Sequence, residues 1–532
     1  MSENQHLTAV EAARSHRRWL TLPLAILLTL ALVIGLAVIV VGAVLAFRYS
    51  GESTPHHADE VEHFKYGSIG AERASGLPYR VWQALPELYP ETFAPAVERG
   101  EGPYSVFGFL YEENAEGEPR DLPIGISRST VSGVDLAWFN CAVCHTGTWR
   151  DAEAGPEDVP WPGGERAVVA GMPSNNLDLH GFIAFLLDSA ADERLAPDSL
   201  IPAIEETSGR LGFFEGLLWR FYIIPELREG LVMQRSRLAP LLDEQPAWGP
   251  GRVDTFNPYK LIQMNQPLHD LGPDERIGTA DFPSVFLQGP REGMQLHWDG
   301  NNPSLRERNL SAAVGAGLDL ESATAADHRA IERVADWLHG LEPPPSPLRA
   351  RQDDAEVARG KALYMDVCAE CHGYQSETGY VFEGGRLGLV ESIEAIGTER
   401  NRLDSYTEDF RDAQREHLGF ENFVKTDGYA NHPLDGLWLR GPYLHNGSVP
   451  TLHDLLQPPE ERPAAFLRGG DIVDAEKGGF VSESCDPGEA SPPGLFCFDT
   501  RLPGNGNDGH DYGTRELSGD EKADLLAYLK TF

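Results

Sequence analysis

Cysteine and methionine are scarce in this 532-residue chain, six of each, and no methionine follows Met365. So few cysteines exclude a disulfide-dense scaffold. Positive charge is short too: 44 Lys and Arg stand against 82 Asp and Glu, a formal net charge of −38. That deficit excludes a nucleic-acid binder, which needs a basic surface to neutralise phosphates. An acidic surface also repels anionic lipid head groups and steers basic proteins toward itself. Hydrophobic residues make up 41% of the chain, enough for buried cores in two or three domains.

Charge of either sign is missing from Trp19 to Phe47, between Arg18 and Arg48. As a helix this run reaches about 44 Å, more than a hydrocarbon core of about 30 Å. A cleaved signal peptide has an apolar region of only about 7–15 residues. The run therefore predicts a retained transmembrane anchor over 19–48. Arg14, Arg17 and Arg18 precede it, and Glu52, Asp59, Glu60 and Glu62 follow. The positive-inside bias then leaves a cytoplasmic tail, 1–18, and exports the rest to the periplasm.

Polar residues 49–63, with His56, His57 and His63, read as a linker. Apolar Ile331, Val334, Ala335, Leu338 and Leu341 at helical spacing predict a helix over Ala325–Leu341. The run Glu342-Pro-Pro-Pro-Ser-Pro347 stops it and marks a boundary. One domain is expected over 64–342, a linker over 343–350, and a second domain over 351–532. The second opens with a helical pattern from Asp354 to Cys368 and closes with a segment capped by Ser518 and Glu521.

Four of the six cysteines form two copies of one pattern, Cys141-Ala-Val-Cys144-His145 and Cys368-Ala-Glu-Cys371-His372. Two thiols separated by two residues reach two vinyl groups on one porphyrin edge, and the adjacent imidazole ligates the iron. C-x-x-C-H is the attachment signal for haem c. A redox dithiol has no use for the histidine, and zinc wants two more ligands nearby. Two covalently bound haems are expected, one per domain, in a mainly α fold of two cytochrome-c-like domains with long loop insertions behind the N-terminal transmembrane helix. Haem c is attached outside the bacterial cytoplasm, in agreement with the charge bias. The remaining Cys485 and Cys497 are expected to form a disulfide.

Axial ligation separates electron transfer from catalysis. Met365 lies three residues before Cys368 on the same helix and cannot reach the opposite haem face, so a His/Met iron is excluded in the second domain. His417, His432, His445, His453 and His510 are available there. His510, just before the final helix, is the first choice and His445 the second. The first domain leaves Met172, Met233, Met264, Met294, His180, His269, His297 or an open sixth position. His297 and Trp298, in a Gly/Asn loop, are candidates for a distal face.

The two haem motifs, the stretch Arg440-Gly-Pro-Tyr-Leu-His445-Asn-Gly-Ser-Val-Pro-Thr-Leu452 and the Gly509-His510-Asp511 segment before the last helix resemble the dihaem cytochrome c peroxidase superfamily. Within it the chain looks most similar to the larger proteins related to bacterial rubber oxygenase. The resemblance covers about 64–532. It implies that His145 and His372 are proximal ligands and that His510 is the distal ligand of a His/His second haem. It also implies an open first haem where peroxide or dioxygen is activated, with electrons passing through the second. Such proteins often hold calcium between their domains, though no loop here demands it. The expectation is a membrane-anchored periplasmic peroxidase-like oxidoreductase, with an oxygenase acting on a small apolar substrate as the variant. A small redox protein, a cytochrome or a copper protein, would be its electron donor or acceptor. The alternative is a dihaem electron-transfer protein with both irons six-coordinate.

Overall fold

The computed structural model describes residues 26–36, 42, 50–114, 116–151 and 166–532. No helix among the described residues is long and apolar enough to cross a membrane. Residues 26–36 are helical and exposed. The remainder of the span expected over 19–48, like the tail 1–18, lies almost entirely outside the described residues. The membrane anchor is therefore not supported, and the inner-membrane localisation built on it falls with it.

Helices account for 45% and strands for 13%. The expectation of a mainly α fold gives way, among the described residues, to short helices, long loops and six sheets of two or three strands. Strands of two to six residues are too short for a period-two pattern to register in sequence. The chain forms two compact units. One comprises Met1–Thr54 with Ser129–Asp135. The other comprises Pro55–Arg128 with Leu136–Phe532 and contains both Cys-x-x-Cys-His segments.

Within the larger unit, α1 (Glu60–Tyr66) starts at Asp59, whose carboxylate accepts from the Glu62 N–H. It buries Phe64 and Tyr66 against Ala142, Val285, Val334 and Leu338, which packs the first motif against α1. Strands β1 (Thr146–Asp151) and β2 (Ala167–Ala170) pair antiparallel directly after that motif. Helix α2 (Leu305–Gly315) is capped by Ser304. Helix α3 (Ala325–His339) opens with a Thr324/Asp327 capping box. Its Ile331, Val334 and Leu338 are buried, the face their spacing predicts, and it ends at Gly340 before the proline run.

Helix α4 (Asp354–Val367), capped by Asp353, delivers the second motif, whose last four residues form the helical turn α5 (Ala369–His372). Strand β3 (Ile472–Val473) pairs in parallel with Arg150–Asp151 of β1. Beside it the buried Asp471 accepts from Thr148, Arg150 and Arg166, so chain segments far apart in sequence share one sheet. Helix α6 (Gly519–Leu529) opens with the Ser518/Glu521 capping box. It packs on α4 so closely that a Cβ at Gly360 would strike the Asp524 carbonyl. Tyr364, Val449, Leu452, Leu525, Tyr528, Leu529 and Phe532 form the core beneath. Cys485 and Cys497 are disulfide-bonded, with Cα atoms 5.8 Å apart.

Candidate haem-binding sites

At the second motif, Cys368 caps α4 and the turn α5 brings His372 round beneath it. His372 Nδ1 lies 2.7 Å from the His432 carbonyl oxygen. A carbonyl only accepts, so Nδ1 carries the hydrogen and Nε2 keeps its lone pair for a metal. Tyr380 steadies the same turn: its hydroxyl donates to the His372 carbonyl and accepts the Leu434 N–H at 2.7 Å.

His510 faces this imidazole, with ring centroids 5.9 Å apart. Its backbone stands at φ 54°, a left-handed conformation that is uncommon outside glycine and is held by its surroundings. The His510 N–H donates to Ile396 O at 2.9 Å, and a side chain on Gly509 would collide with that same carbonyl. Arg462 reaches Gly509 O at 2.8 Å. Burial pushes His510 down to about 4 and also lowers His372. Both rings are therefore neutral and ligand-competent near neutral pH. Two imidazoles sharing one metal at about 2.0–2.1 Å each have ring centres roughly 6 Å apart, so the donor set fits a His/His haem iron.

At the first motif, Asn140 Oδ1 accepts the Ala142 N–H at 2.9 Å while its amide donates to Gly67 O at 3.0 Å. This ties the Cys141–Val143 turn to the end of α1. His145 Nδ1 lies 2.9 Å from Pro283 O, so its Nε2 is free in the same way as that of His372. Burial, with Arg308 adding to it, pushes His145 down to about 4. Among the described residues no ring packs against His145. Burial raises the thiols too, Cys141 to about 11 and Cys144 and Cys368 to about 12. None of these cysteines is disulfide-bonded. Sulfurs that keep their protons are poor redox thiolates, which is compatible with thioether attachment.

His297, also at positive φ (62°), has Nδ1 2.6 Å from Asn301 Oδ1, and burial pushes it down to about 4. Trp298 points elsewhere. Its Nε1 donates to Asp281 O at 2.9 Å, and its ring meets His432 edge-on at 5.4 Å. His445 is buried and stacked on Tyr429 at 4.1 Å, with Nε2 3.7 Å from Glu399 Oε2. It makes no ring contact with His372. Its neighbour Asn446 instead holds the Gly504 and Gly506 carbonyls, bracing the loop that leads to His510. Of the other first-domain residues, Met172 packs against Phe286 and Trp438. Met233 and His269 are exposed, and His180 accepts the Trp248 N–H. No group of three or more His, Cys, Asp and Glu suited to a metal occurs among the described residues.

Sequence reasoning missed Arg308 on α2. Its Nε and Nη2 are buried with no hydrogen-bond partner among the described residues, and burial pushes the guanidinium down to about 10. It acts electrostatically on Cys141, His145 and His297 alike. A buried cation with open donors suits an anionic ligand or a porphyrin carboxylate. No sequence pattern distinguishes it from Arg306, the other arginine of α2. The carbonyls of Pro283 and His432 were missed as well, because backbone acceptors leave no mark on residue identity.

Residues 428–467 match the family model described as RoxA-like, cytochrome c-like. The matched range includes His432 and the Arg440–Leu452 stretch. This match supports a cytochrome-c-like, haem-c class of protein and a relationship to rubber-oxygenase-like haem cytochromes. More particularly, the chain is 32% identical over 296 residues to the uncharacterized protein y4iM of Sinorhizobium fredii (strain NBRC 101917 / NGR234), across 47% of this chain and 64% of that protein. It is 31% identical over 255 residues to y4iJ of the same organism, across 36% of this chain and 41% of that protein. The chain thus spans less than two thirds of the length of these curated relatives.

Proposed function

We propose that the chain is a dihaem c-type oxidoreductase. In this reading residues 64–342 and 351–532 each carry one haem, peroxide or dioxygen is activated at the first, and electrons pass through the second. The observation that carries the reading is an asymmetry. His510 faces His372 at 5.9 Å, which closes the second site to exogenous ligands, while no ring packs against His145 among the described residues.

When bound, the haem irons supply the redox chemistry, and the protein sets ligation, dielectric and access. Cys141 and Cys144 hold the first porphyrin and Cys368 and Cys371 the second; His145 and His372 are the proximal ligands. Asn301 Oδ1 accepts from His297 Nδ1, which leaves His297 Nε2 bare to take a proton from an incoming hydroperoxide. The Arg308 guanidinium, which acts electrostatically on His145 and His297, favours negative charge near them. The acidic surface selects a small redox protein with a basic face as the electron partner. The oxidised substrate is a peroxidase's electron donor or a small apolar molecule.

The test is the haem content of the purified protein together with its ferric spectrum. Two thioether-bound haems per chain, one high-spin and shifted by cyanide, support the reading. Two fully low-spin haems that ignore cyanide reduce it to electron transfer alone, and fewer than two haems overturn it.

A further inference from the structure

One half-buried residue lies against His372 on one side and the distal candidate His297 on the other. The His432 carbonyl accepts from His372 Nδ1 at 2.7 Å. The imidazole of the same residue reaches the other way, with Nε2 2.9 Å from the carbonyl oxygen of His297. That carbonyl accepts, so Nε2 donates. The edge of Trp298 completes the contact at 5.4 Å. The ring of His297 is in turn tied to Asn301 at 2.6 Å. The path from the second proximal imidazole to the first distal candidate thus runs through a single residue, by way of its backbone on one side and its ring on the other.

We infer that His432 is a positioning residue shared by the two haem sites: its carbonyl orients His372 and its ring fixes the His297–Trp298 backbone. The inference rests on the dihaem reading above and adds a mechanical link between the two sites. Second-shell acceptors of this kind orient a metal-binding imidazole and raise its basicity. A residue that serves one site through its carbonyl and the other through its ring transmits displacement in both directions. When the His297 segment moves to admit a ligand, it pulls the His432 ring, and the carbonyl beneath His372 shifts with it.

The experiment is spectroelectrochemical titration of the two-haem protein with and without cyanide, after haem content has been fixed by mass. In the native protein, cyanide at the first haem is expected to shift the potential of the low-spin second haem. In His432→Leu, which removes the ring donor, that shift is lost and the cyanide affinity of the first haem changes several-fold. In His432→Gln, whose side-chain amide still donates to the His297 carbonyl, both are restored. A native second haem whose potential ignores cyanide overturns the inference without any variant. A His432→Leu protein that keeps the full shift, or a His432→Gln protein that behaves like it, overturns it too. Fewer than two haems per chain overturns the dihaem reading, and this inference with it, before any potential is measured.

Discussion

Cys141-Ala-Val-Cys144-His145 and Cys368-Ala-Glu-Cys371-His372 are nearly the same five residues in unlike settings. The second continues a capped fourteen-residue helix and meets an imidazole held at a strained backbone angle. The first is a short turn between two strands, pinned by Asn140, with no ring against its histidine among the described residues. In both, Nδ1 of the histidine is fixed by a backbone carbonyl at 2.7–2.9 Å. The proximal sides are therefore equivalent, and the difference between the sites lies on the opposite face. On the dihaem reading, the choice between an open and a closed iron falls to residues far away in sequence.

The sharpest way to break this contrast is to open the second site. His510→Ala is expected to turn the second haem from low-spin to high-spin and to raise cyanide binding from one to two per chain, as read by optical titration. His445→Ala, whose ring lies on Tyr429, should leave the stoichiometry at one. If His510→Ala still binds a single cyanide, the pairing of His372 with His510 across the iron is wrong.

The next effect is confined to the first site. Arg308→Leu removes the buried guanidinium whose Nε and Nη2 have no hydrogen-bond partner among the described residues. A hydrogen bond to a charged group contributes about 1.5–3 kcal/mol, so anion affinity at the first haem is expected to fall about 10- to 100-fold while the second haem keeps its spectrum. Equal azide and cyanide affinities in variant and parent would remove Arg308 from that pocket.

What could be read from sequence was local. The two motifs, the Ser518/Glu521 capping box and the buried stripe Ile331, Val334 and Leu338 are short-range patterns, and they stand in the structure where their spacing puts them. The absence of methionine after Met365 removed a His/Met pair but left five histidines, and the resemblance singled out His510. The parallel pairing of Ile472–Val473 with Arg150–Asp151 was not legible, since two-residue strands carry no periodicity. Arg308, Pro283 and His432 were illegible for a different reason. Their roles depend on which backbone or void lies opposite, and that is set only when the halves of the larger unit fold together. The hydropathy of Trp19–Phe47 predicts a span that is not supported: no helix among the described residues is long and apolar enough to cross a membrane.

The smallest predicted effect concerns the residue that the two sites share. Burial first, and the nearby Arg291 second, push His432 down to about 3, whereas an unfolded histidine titrates near 6.5. Between those values the unfolded chain binds a proton that the folded chain does not. Stability from this group is therefore intact above pH 6.5 and declines as pH falls from there toward about 3. One such histidine contributes a slope of about 1.4 kcal/mol per pH unit. His432→Gln cannot titrate, so its unfolding free energy should lose less on going from pH 7 to pH 5 than that of the parent, by roughly 2 kcal/mol. Acid titration of paired carboxylates is common to both proteins and cancels in the difference. Chemical denaturation at the two pH values measures it, and parallel pH profiles would mean that His432 titrates in the folded protein as it does in the unfolded chain.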